Sequence, residues 1–189
     1  MNLEWPNRRS NRLSGYDYSS PGAYFITICV DQRRCVLGRV IGSEMHNSRL
    51  GDEINHSWMR VPVRFPTAEL DVFQVMPNHF HGIVVLTEAK ADGASPIPTM
   101  MVPASTMAAT AATVIRAGLP SLSAIIGAFK SETGIACNRQ LRIAGQQFWQ
   151  PGFFDHIIRD DDELDRIRQY IVNNPAHWAD DRENPDSRR

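Results

Sequence analysis

Residues 69–86 read ELDVFQVMPNHFHGIVVL. Leu70 and Val72 alternate with polar neighbours and Val75 follows after Phe73, the pattern of a half-buried strand. Pro77-Asn78 breaks the run. From His79 to Leu86 the chain turns apolar and β-branched, a second strand signal. Two strands across a short Pro-Asn break predict an antiparallel hairpin. On a strand, residues i and i+2 share a face, so His79 and His81 project side by side while Phe80 points the other way, into the core. Side-by-side imidazoles suit a divalent metal ion. Two ordinary histidines at a strand start would look the same in so short a motif.

Upstream, residues 23–30 (AYFITICV) are aromatic and β-branched throughout and predict a buried strand. Gly38, Gly42 and Gly51 then punctuate a stretch of irregular turns or a short hairpin. Residues 52–60 (DEINHSWMR) open with acids and carry Ile54, Trp58 and Met59 at helical spacing, a short amphipathic helix that Pro62 ends.

Downstream, residues 88–120 change character. They are rich in Ala, Thr, Ser, Pro and Met with little charge, and read as an inserted linker, with a helix conceivable in part of 104–115. Leu122, Ile125, Ile126 and Phe129 then fall at i, i+3, i+4, i+7, an amphipathic helix with Ser121 as its N-cap. Residues 148–158 (FWQPGFFDHII) suggest a strand bent at Pro151-Gly152. Residues 160–174 (DDDELDRIRQYIVNN) place four acids at a helix start, a core stripe at Leu164, Ile167 and Ile171, and Pro175 as the stop. The 179–189 tail is charged and reads as frayed. Interspersed strands and helices around one tight hairpin predict an α+β domain, with helices packed on one face of an antiparallel sheet.

The chain has 189 residues, 42% hydrophobic and 22% charged, an ordinary globular composition for one domain plus an insert. Its formal net charge of -1 does not announce a nucleic-acid binder. The cations are lopsided, however: Lys90 and Lys130 are the two lysines and the other eighteen are arginines, the residue suited to phosphate forks and base stacking. Cys29, Cys35 and Cys137 have no CxxC spacing, so neither a disulfide framework nor a structural zinc site is expected. The N-terminus lacks an apolar core behind its charges and no stretch approaches a membrane span. These features predict a reduced, cytoplasmic protein.

Tyr170 stands out on the last helix. At 100° per residue it lies on the shoulder between the apolar stripe and solvent, and Arg166 and Asn174, one turn away on either side, share that shoulder. Its ring can pack while its hydroxyl reaches a cleft. An amphipathic tyrosine at a helix edge, with Asn174 before Pro175 as a terminal residue, is the plainer reading of that feature alone.

Taken together, VMPNHFHGIVV and the Tyr-Ile-x-x-Asn-Pro helix ending resemble the REP-associated tyrosine transposases, a branch of the HUH-type single-tyrosine, single-strand-DNA transposases. The matching stretches run in the family's order, from RRSNRLSGYDYSSPGAYFITICV through LSAIIGAFKSETG to FWQPGFFDHIIRDDDELDRIRQYIVNNPAHW, and cover most of the chain. The resemblance implies a ferredoxin-like fold over residues 21–178, interrupted by the 88–120 insert and flanked by a 1–20 arm. It implies His79 and His81 as ligands of Mg²⁺ or Mn²⁺ and Tyr170 as the nucleophile. It also suggests a third ligand one turn after the tyrosine, here Asn174, where better-known relatives carry a glutamine that is one methylene longer; Asn173 is less well placed. The implied reaction cuts and rejoins single-stranded DNA at palindromic hairpins through a 5′-phosphotyrosine link, by a monomer, with the dimer of the wider superfamily as the alternative. For DNA contacts the sequence offers Arg8, Arg9, Arg12, Tyr16 and Tyr18 in the arm, Lys130 in the family's Phe-Lys-Ser, and Arg166. A silent hairpin-binding regulator and a small-phosphate hydrolase are the rival readings. The first needs none of His79, His81 and Tyr170, and the second gives a helix-ending tyrosine no role.

Overall fold

In chain order the elements of the computed structural model are β1 (Gly22–Cys29), the hairpin β2 (Gly38–Ile41) and β3 (Glu44–Asn47), α1 (Arg49–Met59), α2 (Val61–Arg64), β4 (Ala68–Val75), β5 (His79–Leu86), α3 (Leu122–Leu141), β6 (Phe154–Ile158) and α4 (Asp161–Asn173). A 3-10 helix, Pro175–Asp180, follows α4. The structure describes residues 13, 15–88 and 119–187. Arg8, Arg9, Arg12, the body of the 88–120 insert and the helix considered at 104–115 lie outside them.

The main sheet has strand order β4-β5-β1-β6, and each neighbouring pair is antiparallel. With the β2–β3 hairpin and α2 set aside, the path is β-α-β-β-α-β, the ferredoxin-like arrangement. The hairpin read from residues 69–86 is β4–β5. Its imperfect alternation has a cause: the register slips between Leu70 and Phe73. This bulge turns both Asp71 and Val72 toward α4, and Leu70 and Phe73 toward the other face.

The helices divide between the two faces of the sheet, where the sequence pattern placed them all on one. On one face α1 and α3 bury Trp58, Ile125, Ile126 and Phe129 against Ile26, Ile28, Phe80 and Val84. Trp58 is the hub, with ring centroids 4.7 Å from Phe80 and 5.0 Å from Phe129. On the other face α4 packs Ile167 and Ile171 onto Phe25, Ile83 and Ile158. The stripe at Leu164, Ile167 and Ile171 seats α4, with its acids gathered at the helix start. Phe80 and the histidines thus face opposite layers, and the helix that carries Tyr170 lies on the histidine side.

Caps set the helix ends. Ser48 accepts hydrogen bonds from the Leu50 and Gly51 amides and starts α1 ahead of the acids that marked it in sequence. Gly51 is required there, since a Cβ would lie 2.2 Å from the Leu37 carbonyl oxygen. Ser121 caps α3 as expected, and Asp160 caps α4. Pro62 does not end the chain's helical course but opens α2. Residues 148–158 form a strand only from Phe154, joined by an isolated bridge between Val30 and Trp149. Among the described residues no helix is long and apolar enough to cross a membrane.

The 179–189 tail departs from its expected fraying. Through Ser187 it turns back over the sheet and is tied down by Asn78 and Arg33.

Candidate active site

The site begins at the β4–β5 turn. Asn78 is buried, and its Nδ2 donates to the main-chain carbonyls of Arg33 (3.1 Å) and Glu183 (2.7 Å). Those two contacts fix the amide's orientation, so its Oδ1 accepts from Nδ1 of His79, 2.9 Å away. His79 Nδ1 therefore carries the proton and Nε2 presents a bare lone pair. That Nε2 lies 3.0 Å from Nε2 of His81. His81 Nδ1 is 2.8 Å from the Thr27 hydroxyl on β1, and its ring stacks on Phe25.

Both imidazoles are buried, and burial holds both below the ordinary histidine value, His79 at about 3. The Arg33 cation adds to the effect on His79, and His79 to that on His81. They are neutral at neutral pH, the form that binds metal. A single proton on His81 Nε2, with Thr27 donating to Nδ1, satisfies the Nε2 pair in one way. A cation shared by two bare lone pairs, with His81 Nδ1 donating to Thr27, satisfies it in the other. The spacing and the partners on both Nδ1 atoms fit a divalent ion.

Tyr170 reaches the same place from α4. Its ring centroid lies 5.4 Å from His81 and 6.1 Å from Phe25, edge-on to both. Burial and the nearby Asp181 carboxylate push its phenol up to about 12, while the Asn174 side chain favours the phenolate. Asn174 is itself buried, and its Oδ1 has no hydrogen-bond partner. A buried carbonyl oxygen left bare beside the tyrosine is a second opening for a cation or a polar substrate group.

A third donor comes from the tail. His79, His81 and Asp181 each offer one ligand atom, all within 4.8 Å of one another. The Trp178 ring, one residue type that could have flagged an anchored segment after Pro175, lies 6.0 Å from His79. The carboxylate of Asp181 was hidden in sequence within a run of charges, and Asn78 within a turn dipeptide.

The remaining sequence candidates fall elsewhere. Arg166 is exposed on α4, and its helix neighbour Arg168 makes the tie to β4 through Asp71. Lys130 donates to the main-chain carbonyls of Gln150 (2.7 Å) and Gly152, fastening α3 to the loop before β6. Tyr16 bonds the Tyr24 hydroxyl at 3.1 Å and packs edge-on to Tyr18, so both belong to the aromatic end of the core. His156 pairs with Glu163 at 2.8 Å and joins β6 to α4. Trp149 is buried and donates to Thr133.

No protein-family model matches the chain. An uncharacterized protein of Haemophilus influenzae is 33% identical over 176 residues, covering 93% of this chain and 92% of its own. The solved structure of a REP-associated tyrosine transposase bound to a REP hairpin superposes with a TM-score of 0.55 at 20% identity, over 87% of this chain and 72% of that one. The chain therefore belongs to one family with the Haemophilus influenzae protein, and its fold is that of the REP-associated tyrosine transposases.

Proposed function

We propose that this protein is a tyrosine transposase that cuts and rejoins single-stranded DNA at hairpin sites. The observation that carries the reading is the meeting of Tyr170 with the His79–His81 pair, from a helix and a strand far apart in sequence. The fold shared with a hairpin-bound transposase supports the choice of substrate.

The Tyr170 hydroxyl oxygen attacks the scissile phosphorus, and the proton it gives up is balanced by the one the leaving O3′ takes up. The P–O3′ bond breaks, leaving a 3′-OH on one strand and a 5′-phosphotyrosine on the other. The link conserves a phosphodiester, so attack by a second 3′-OH rejoins strands without another energy source. A Mg²⁺ or Mn²⁺ ion on His79 and His81, when bound, supplies positive charge that polarises the phosphodiester and favours the phenolate. The chain does the rest. Asn78 and Thr27 hold the two imidazoles in register. Phe25 and Ile171 shield the tyrosine from water on the sheet side. Asn174 favours the ionised phenol against its burial. The arginines of the arm and Arg166 are the proposed backbone contacts, and Lys130 fastens the loop before β6.

The test is a denaturing gel of the protein with labelled single-stranded hairpins from DNA flanking its gene, with Mn²⁺ or EDTA. A metal-dependent protein–DNA adduct that the Tyr170→Phe variant fails to form is the expected result. A metal-independent gel shift with no adduct would replace this reading with a hairpin-binding regulator.

A further inference from the structure

We propose that Asp181 supplies a carboxylate ligand to the ion held by His79 and His81, so that cation binding and docking of the C-terminal segment are one coupled event. The proposal rests on the metal site of the reading above and extends it to a part of the chain outside the sheet and its helices.

Three observations carry it. The first is proximity: the ligand atoms of His79, His81 and Asp181 lie within 4.8 Å of one another. The second is charge. Two neutral imidazoles leave a divalent ion uncompensated, and a hard cation such as Mg²⁺ or Mn²⁺ prefers an oxygen donor among its ligands. Among the described residues Asp181 is the carboxylate that reaches them, and it also bears on the Tyr170 phenol.

The third observation is how the segment is held. Its main chain is caught at the Glu183 carbonyl by Asn78, the same amide that orients His79. The Glu183 carboxylate meets the Arg33 guanidinium at 3.1 Å. The Asn184 side chain donates to the Trp178 carbonyl at 2.9 Å, closing the turn around Asp181. One Asp181 oxygen, Oδ1, accepts from the Glu183 amide at 2.6 Å. A carboxylate has lone pairs on two oxygens, so that turn leaves it free to ligate. Asp181 therefore sits on a short clasp closed at one end by Asn78 and open at the other to the imidazoles. An ion seated there binds the docked segment and not the released one, and so stabilises docking by mass action.

The experiment uses the full chain and Mn²⁺ alone, without DNA. Mn²⁺ affinity is measured by titration calorimetry for the wild type, Asp181→Asn and His79→Ala. Hydrogen exchange over residues 175–187 is followed in the wild type with Mn²⁺ and with EDTA. The expected result is a loss of roughly tenfold or more in Mn²⁺ affinity for Asp181→Asn, as for other changes around a metal. Mn²⁺ should also slow exchange across the segment in the wild type, a readout that no variant's folding can blur. Wild-type affinity in Asp181→Asn, or exchange indifferent to Mn²⁺, overturns the role of Asp181 and leaves the histidine site standing. No Mn²⁺ binding by the wild type, or wild-type affinity in His79→Ala, overturns the metal site itself and this proposal with it.

Discussion

Asn78 Oδ1 and His79 Nδ1, on adjacent residues, lie 2.9 Å apart, while the Nδ2 of the same amide holds the carbonyls of Arg33 and Glu183. One buried side chain thus sets the tautomer of a proposed ligand, the turn after β1 and the seat of the C-terminal segment. The turn needs the help: Gln32 and Arg33 both sit in left-handed backbone conformations, at φ 56° and 54°, which non-glycine residues adopt at a cost.

Asn78→Ala should therefore lose more than a surface asparagine does. It leaves a buried imidazole N–H and the Glu183 carbonyl without their partner and the Arg33 carbonyl with only the Cys35 thiol, at about 1–3 kcal/mol for each group that stays buried and unpaired. The expected outcome is a clear drop in melting temperature together with a roughly 10–100-fold loss of Mn²⁺ affinity. Unchanged affinity in a variant that still folds would show that His79 does not depend on Asn78 for its orientation.

Thr27→Val isolates the other imidazole. The substitution keeps the branched shape on β1 and removes the hydroxyl 2.8 Å from His81 Nδ1. One lost hydrogen bond is worth about 1 kcal/mol, so the fold should survive with a small shift in melting temperature. Mn²⁺ affinity should still fall by roughly tenfold, because the ring is freed to turn and its tautomer is no longer set. A variant that loses stability but binds Mn²⁺ like the wild type would assign Thr27 to packing alone.

Gly82 follows the histidine pair, and its lack of a side chain positions that strand against the core. A Cβ there would lie 2.9 Å from both Trp58 Cζ2 and Phe80 Cε1. Gly82→Ala is expected to destabilise the protein by about 1–3 kcal/mol through overpacking. Because the clash is with the far edge of the indole, adding Trp58→Phe should cost less in the Gly82→Ala background than alone. Additive losses in chemical denaturation would locate the strain elsewhere.

The local patterns of this chain were legible because they are periodic. Alternation marked β4, a β-branched run marked β5, and i, i+3, i+4, i+7 spacing marked α3 from Leu122. Strand geometry put His79 and His81 side by side and helix geometry put Tyr170 on the shoulder of its stripe, while the roles proposed for them came from the family resemblance. What failed was whatever depends on chain reversal. The α4 stripe at Ile167 and Ile171 says that the helix packs, but not on which face of the sheet, because Phe25 and Ile83 are no more apolar than Ile26 and Val84 opposite them. Asp181 and Glu183 read as solvated charges because composition carries no trace of the Asn78 contact that captures them. Tyr16 looked like part of an arm since an amphipathic ring suits a base stack as well as a core edge, and only its bond to Tyr24 decides where it sits here.

The β4 bulge gives a last expected outcome, one that depends on pH. It turns Asp71 toward α4, where Arg168 Nε and Nη2 bond its carboxylate at 3.0 and 2.6 Å. Those hydrogen bonds, with a further one from the Val72 amide, hold the Asp71 carboxyl below its ordinary value against a smaller opposing effect of burial. A group whose value is lowered in the folded state stabilises fully above its unfolded value, about 3.9, and loses that contribution as pH falls through the folded one. Near neutral pH the wild type should therefore melt above Asp71→Asn, and the gap should close as the pH is taken below about 3.9. Salt should narrow the gap as well, since the Arg168 side chain is 38% exposed and its charge is partly screened. The His156–Glu163 pair that joins β6 to α4 is present in both proteins, so comparing the two melting curves at each pH removes its effect. A gap that stays constant from neutral to acidic pH would mean that Asp71 holds the bulge through its shape and not through its charge.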